Sequence, residues 1–146
     1  MTSRSSATGP RFEELAPGNE IPPLTITPTA VHLFLFSAIT WNAHRIHYDT
    51  SHAASEGYPN LVVHGPFQGT LLARLITRWL GDAGVLRRLS YSHRGIALLG
   101  DTLTCRGKIA KKYEEEGVPM VDLSLTVETQ KGEITTPGRA TVAFRK

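Results

Sequence analysis

The sequence predicts a single α+β domain in which an antiparallel sheet wraps around one long central helix. Three observations predict it: an amphipathic pattern over residues 67–80, one short strand-like stretch before it, and four longer ones after it. An apolar helix followed by strands can bury its apolar stripe against a sheet made from those strands. Because 146 residues correspond to about one domain, we assign residues 11–146 to this domain and residues 1–10 to a flexible tail.

Composition excludes several classes of protein. With 40% apolar and 20% charged residues, the chain has the make-up of ordinary globular domains rather than of disordered, collagen-like or coiled-coil chains. No apolar run approaches the roughly 20 residues that span a bilayer, and the polar N-terminus lacks the apolar segment of a secretion signal. The single cysteine, Cys105, fits a reducing compartment, and the net charge of +3 is too small to indicate nucleic-acid binding. We therefore expect a cytoplasmic protein that binds neither membranes nor nucleic acid.

A short strand and a helix are predicted before the central helix. Residues 20–27 alternate apolar and polar side chains, and their two prolines favour an edge strand because proline cannot donate a ladder hydrogen bond. Thr27 followed by Pro28 indicates a helix N-cap and a first-turn proline. We therefore predict a mostly buried helix over residues 30–40.

The segment between the first helix and the central helix is polar and irregular. It covers residues 41–63, with one short helix predicted over residues 51–56 and a strong turn signal at residues 57–60. Long irregular segments inside small domains are more often functional than not. This segment is therefore the first place to look for a site.

The central helix is the clearest element in the sequence. Residues 67–80 place on one stripe the apolar side chains of Phe67, Leu71, Leu72, Leu75, Ile76 and Trp79. Gly81 follows as a helix stop.

Four strand-like stretches follow the central helix, and glycine-containing dipeptides separate the last three from what precedes them. Within the third stretch, Leu123, Leu125 and Val127 alternate with polar residues, which is the period of a strand with one buried face. We expect the four to form an antiparallel meander. The stretches are residues 85–97, 102–113, 118–129 and 133–144.

Histidines are concentrated in the irregular segment. Four of the six in the chain lie at positions 44, 47, 52 and 64. His44 and His47 are three residues apart, but no Cys, Asp or Glu stands at metal-ligand spacing beside them, so we expect no metal site. The remaining histidines are expected to be surface or packing residues; they are His32, His52 and His93.

The order of motifs in this region resembles the MaoC-like hydratase/dehydratase family of the hotdog fold. Residues 40–49 have the sequence TWNAHRIHYD, Gly57-Tyr58-Pro59 follows, and His64-Gly65 opens the central helix. In that family a D-x-N-P-x-H-x-D segment precedes an H-G dipeptide at the same place. The resemblance covers residues 12–145 and includes a late Gly-Asp turn at residues 100–101. It is closest to the subgroup of 3-hydroxyacyl-thioester dehydratase type 2 and mesaconyl- or itaconyl-CoA hydratase-like proteins, where T-[FW]-N-x-H-x-I-H-Y-D is the usual spelling.

The resemblance implies a fold and a reaction. The fold is a single hotdog with extra helices between the first strand and the central helix. The reaction is the reversible hydration of 2-enoyl thioesters, or the dehydration of 3-hydroxyacyl thioesters, with no cofactor besides the thioester substrate. His47 matches the family's catalytic histidine, and an imidazole suits proton transfer near neutral pH. Gly65 matches the residue whose amide polarises the thioester carbonyl, a task for which unpaired N–H groups at a helix start are suited.

The sequence departs from the broad family pattern at Asn42, where better-studied hydratases carry a catalytic aspartate. An amide does not exchange protons under ordinary conditions, so Asn42 is expected to position water or the substrate hydroxyl. Two mechanisms stay open: His47 alone transfers the proton, or His44 or Asp49 acts as a second acid/base. Asp49 has two structural alternatives, which are to orient an imidazole or to cap the short helix after it.

Substrate binding needs a channel for the acyl chain and a charged mouth. We expect His64 at the substrate, and the channel walls to include Tyr58, Val62, Val63, Phe67 and Leu71. Arginine matches phosphate geometry, so Arg94, with Arg87 and Arg88, is expected to contact CoA phosphates or an acidic carrier protein. A plain core role for the apolar residues and a solvated surface role for the arginines stay open.

Two other functions remain open on the same fold. Hotdog thioesterases commonly use an acidic residue on or near the central helix, and residues 67–80 contain none, which disfavours that reaction. The missing aspartate also allows a non-catalytic or partner-dependent subunit. In the resembled family two hotdogs pair with sites at their seam, and many relatives are double-hotdog chains of about twice this length. We therefore expect a homodimer, or a heterodimer with another hotdog subunit.

Overall fold

The computed structural model describes residues 9–145. Most of the predicted tail, residues 1–8, lies outside the described part, as does Lys146. No helix of the described part is long and apolar enough to cross a membrane. The elements in chain order are β1 (Glu20–Ile26), α1 (Ala30–Thr40), α2 (Thr50–Ser55), α3 (Gly65–Leu80), β2 (Gly84–Tyr91), β3 (Leu103–Glu115), β4 (Val118–Glu128) and β5 (Ile134–Phe144).

The five strands form one antiparallel sheet in the order β1-β3-β4-β5-β2. Its concave face covers the apolar stripe of α3, whose Leu72 and Ile76 have no exposed surface. This arrangement confirms the predicted α+β class, the sheet wrapped around a long helix, and the extra helices α1 and α2. Two expectations about this arrangement are wrong. β2 does not join the meander of β3, β4 and β5, because it crosses to the far edge and pairs with β5. The helix predicted to be mostly buried, α1, is largely exposed: its buried residues are Leu33 and Ser37, because the sheet covers α3 instead.

A buried polar contact anchors α3 on the sheet. Gln68 is 2% exposed, and its side-chain oxygen accepts hydrogen bonds from the hydroxyls of Thr135 and Thr136 on β5. The next residue, Gly69, lies so close to the Tyr91 ring that a Cβ would fall 2.2 Å from it. The start of α3 is therefore held against β5 and the end of β2 by a buried amide and a missing side chain.

Two predicted boundaries move because backbone hydrogen bonds are used differently. The N-cap of α1 is Thr29 rather than Thr27, since the Thr29 hydroxyl accepts from the backbone N–H of His32. The imidazole of His32 in turn accepts from the Thr29 N–H, which completes a capping box with histidine at the third position. Pro28 therefore precedes the helix instead of opening it.

The second boundary concerns the stretch predicted as a strand over residues 85–97. β2 ends at Tyr91, where the pairing with β5 becomes one-sided. The Ser92 amide still donates to the Pro137 carbonyl, but proline has no N–H to return the bond. The Arg94 and Gly95 amides then both donate to the Thr135 carbonyl. The chain then runs as a loop whose Ala97 accepts a hydrogen bond from the Val63 amide. This loop clamps the segment that leads into α3 and so positions the start of that helix.

Candidate active site

His47 lies on a short 3-10 turn, residues 45–47, between α1 and α2. The turn is held against the segment before α3, since the Val62 amide donates to the Ile46 carbonyl. The His47 ring completes the pairing, with Nδ1 2.7 Å from the carbonyl oxygen of Val62. The residue is only 7% exposed, so the histidine predicted as catalytic is buried beside the start of α3.

The hydrogen bond to Val62 determines the tautomer of His47. A carbonyl oxygen only accepts, so Nδ1 carries the proton and Nε2 keeps its lone pair. Burial lowers the pKa of His47, the Val62 carbonyl partly opposes that effect, and a charge on nearby His44 adds to it. The ring is therefore neutral near pH 7, with Nε2 in the basic form that a general base requires.

His64 stacks on His47 at the junction with α3. The ring centroids are 3.6 Å apart and the planes differ by 19°. Burial lowers the pKa of His64 to about 4, with the neighbouring His47 adding to the effect, so the stacked pair carries no mutual repulsion at neutral pH. The Nε2 of His64 is 2.8 Å from the Ser37 hydroxyl, while its buried Nδ1 has no hydrogen-bond partner within residues 9–145.

Gly65 is the first residue of α3 and directly follows His64. No acceptor among the described residues takes its backbone N–H, which is one of the orphan donors at a helix start. A Cβ on residue 65 would lie 2.4 Å from the His93 ring, so the glycine makes room for a packed imidazole. Its unpaired backbone N–H is a separate feature of the same residue.

Asn42 directly follows the residue after α1 and is half-buried. Its backbone N–H donates to the Ser37 carbonyl, and its side-chain oxygen accepts from the His44 N–H at 3.3 Å. Asn42 and Ser37 line one groove of about 370 Å³. The Ser37 hydroxyl, which contacts His64, links this groove to the stacked histidines, although neither histidine lines it. The other lining residues are Phe34, Ala38, Trp41, Ala43 and Tyr48.

Asp49 and His44, the alternative acid/base residues, are both more exposed than His47. The Asp49 carboxylate accepts from the His52 amide at 3.0 Å and from the Arg45 guanidinium at 2.6 Å. These contacts lower the pKa of Asp49, with the His52 amide as the larger cause. Asp49 thus caps α2, the structural role that the sequence allowed. The exposed His44 ring lies 5.9 Å from the His47 ring.

The residues expected at the substrate are distributed between the core and the surface. Val63 and Phe67 are 2% and 9% exposed and pack in the core, and Tyr58 packs against it half-buried. Arg94 is exposed, next in sequence to the His93 that covers Gly65. The buried thiol of Cys105 is not a nucleophile, because burial raises its pKa to about 12.

Two residues that contact the site were not singled out by sequence reasoning. Ser37 is a polar residue on an apolar helix and is 6% exposed, so its position in the pattern was the available signal. His93 was expected in a strand, as a surface or packing residue. Its contact with Gly65 depends on where β2 ends, and no local pattern marks that point.

The chain is similar in sequence to proteins described as thioester dehydratases and hydratases. Residues 4–100 match the profile of the family described as hydroxyacyl-thioester dehydratase type 2. Over 63 residues the chain is 52% identical to mesaconyl-C(4)-CoA hydratase from Chloroflexus aurantiacus, a match that covers 42% of this chain and 22% of that protein. The matched part is therefore less than a quarter of that relative's length.

Solved structures share the fold. The (R)-hydratase from A. caviae involved in PHA biosynthesis has a TM-score of 0.82 and 23% identity, over 91% of this chain and 99% of the hydratase. The ChsH1-ChsH2 complex from Mycobacterium tuberculosis contains a chain with a TM-score of 0.78 and 15% identity, over 89% of this chain and 98% of that chain. These likenesses confirm the expected hotdog fold.

Proposed function

The chain belongs to the hydroxyacyl-thioester dehydratase type 2 family, and from that premise we propose that it is a hydro-lyase acting on acyl thioesters. It adds water across the double bond of a 2-enoyl thioester, or removes water from the 3-hydroxyacyl thioester. The observation that carries this proposal is the position of one neutral, buried imidazole, His47, stacked on the residue that precedes the free amide of Gly65.

In the hydration direction, His47 Nε2 takes a proton from water while the water oxygen bonds to C3. The π electrons of the double bond move to C2 and the thioester carbonyl, where the Gly65 amide and the helix start stabilise the enolate charge. The imidazolium then returns its proton to C2. Asn42 holds the water or the new hydroxyl through one donor and one acceptor.

A positive charge near the site is suited to a thioester carrier that bears phosphate. We propose that Arg94 contacts a phosphate of CoA or of an acyl carrier protein, because it is exposed and follows the residue packed on Gly65. Val63 and Phe67 lie in the core and Tyr58 packs against it, which is consistent with their proposed place behind the acyl chain. The Nδ1 of His64 is buried and has no hydrogen-bond partner among residues 9–145. A cytoplasmic setting, favoured by the single cysteine, belongs to this proposal as well.

The direct test is turnover of a small panel of CoA thioesters. We expect purified protein to hydrate a crotonyl- or mesaconyl-type CoA, read as loss of absorbance at the enoyl-thioester band. The matched control is the saturated thioester of the same length, assayed for release of free thiol. Thiol release without loss of the enoyl band would favour a thioesterase instead, and no turnover by the protein or by any assembly containing it would contradict the proposal.

We propose that a second hotdog subunit completes the site, because α1 presents a large apolar surface. Ile39 is 76% exposed and Trp41 93% exposed, and exposed apolar patches of this kind mark interaction surfaces. The patch adjoins the groove that Asn42 lines. The other large apolar side chains exposed on α1 are Val31, Phe34 and Leu35.

This assembly predicts a dimeric mass in solution. Light scattering on the purified chain should give twice the chain mass, and Ile39→Glu should shift the population toward monomer, because a buried unpaired charge is costly. Exposed Thr77 on α3 serves as the control, through Thr77→Glu, which should leave the mass unchanged. A wild-type monomer that is fully active alone would contradict the proposed assembly.

A further inference from the structure

Three side chains beside the His47 turn bring their donor atoms close together, although the proposed reaction does not need them. The donor atoms of His44, His52 and Glu56 all lie within 4.8 Å of one another. His52 Nε2 is 2.7 Å from Glu56 Oε1, and His44 Nε2 is 3.7 Å from the same oxygen. Two imidazole nitrogens thus share one carboxylate oxygen.

The fold explains this convergence. His52 and Glu56 are four residues apart at the end of α2, which puts both side chains on the same side of the helix. His44 reaches them from the residue before the 3-10 turn. The connection is stiffened by Asp49, which caps α2 and binds Arg45. The spacing of His44 and His47 gave no such signal, because the other two ligands, His52 and Glu56, come from α2 after the turn.

We infer that His44, His52 and Glu56 form a binding site for a divalent transition-metal cation, with Zn²⁺ the best match. Two imidazoles and a carboxylate are ligands that zinc prefers, and a fourth, open position is common for that ion. Ligand bonds of about 2.0–2.2 Å need donor atoms a little over 3 Å apart. The side chains are 52%, 26% and 38% exposed in the order His44, His52, Glu56, so small rotations bring all three to that spacing.

A bound ion would link the start of the His47 turn to the end of α2. Its ligands are partly exposed side chains and do not include His47, so the ion would hold the turn without replacing the proposed general base. The site stands independently of the proposed reaction, so binding is measured on a chain whose turnover need not be known. A protein with no hydratase activity would still bind the ion, and the two proposals fail separately.

The test is calorimetric titration of Zn²⁺ into the full chain after removal of metals with a chelator. We expect one ion per chain with micromolar affinity, and a rise in Tm of about 8 °C when free Zn²⁺ is a hundred times Kd. His44→Ala and Glu56→Gln should each abolish saturable binding, with circular dichroism checking that both variants fold. His32→Gln is the matched control, because Gln also completes a capping box, and it should bind as the wild type does.

Cobalt gives a second readout on the same samples. Co²⁺ in a four-coordinate site of this kind should produce visible absorption that disappears in Glu56→Gln. The inference is overturned if the wild-type chain shows no saturable binding. It is equally overturned if binding survives both His44→Ala and Glu56→Gln, because the ion would then lie elsewhere, for example on the stacked pair His47 and His64.

Discussion

Replacing His47 with asparagine should lower kcat for enoyl-thioester hydration by about 10²- to 10⁴-fold. The asparagine amide can still donate to the Val62 carbonyl in place of Nδ1, at a site where the native bond is 2.7 Å, but it has no basic nitrogen where Nε2 stood. The loss should therefore appear in kcat, with the chain still folded. Steady-state kinetics of His47→Asn, alongside its far-UV circular dichroism, measures this.

The control for His47→Asn is His32→Gln, which changes a histidine on exposed α1 without touching the turn. Its kcat should match the wild type. Full activity in His47→Asn would mean that another group, either in this chain or in a partner subunit, performs the proton transfer. His44→Ala then helps to separate the two mechanisms that the sequence leaves open. If His47 alone transfers the proton, the loss of His44 should change kcat only slightly.

The second large effect concerns stability in acid. The pKa of His64 falls from 6.5 to about 4 on folding, so between these values the unfolded chain binds a proton that the folded chain does not. The contribution of His64 to the unfolding free energy is therefore fully present above pH 6.5, and it is lost as the pH falls toward 4. A shift of this size corresponds to about 3 kcal/mol of unfolding free energy, and the lowered pKa of His47 adds in the same direction.

Denaturant unfolding of His64→Gln from pH 7.5 to pH 4.5 tests this coupling. The glutamine keeps a polar group near the Ser37 hydroxyl, at the place of Nε2, but does not titrate. The variant should be less stable at pH 7.5, because it loses the stacked ring, and its stability should fall less with pH than that of the wild type. His32→Gln should keep the wild-type slope. Equal slopes in wild type and His64→Gln would contradict the neutral buried imidazole.

The sequence allowed the main elements to be predicted because their signals are local. The central helix carries its apolar stripe within residues 67–80, and it ends at Gly81, a single glycine with positive φ. The α2 cap was also local, since Asp49 reaches an amide three residues away. Boundaries set by distant partners were missed, as at Tyr91, where the next residue, Ser92, faces Pro137 on β5, and proline has no N–H to return a hydrogen bond.

For the site, the sequence by itself determined which residue types are present and that they resemble one family's motif. Only the tertiary structure decided which of them touch. His47 and His64 are 17 positions apart in the printed numbering, and their stacking depends on the Val62 backbone that joins the turn to the helix start. His93 reaches Gly65 through the loop after β2. The physical reason is that propensity and capping act within a few residues, whereas burial and the pKa shifts it causes exist only once distant segments exclude water from the same volume.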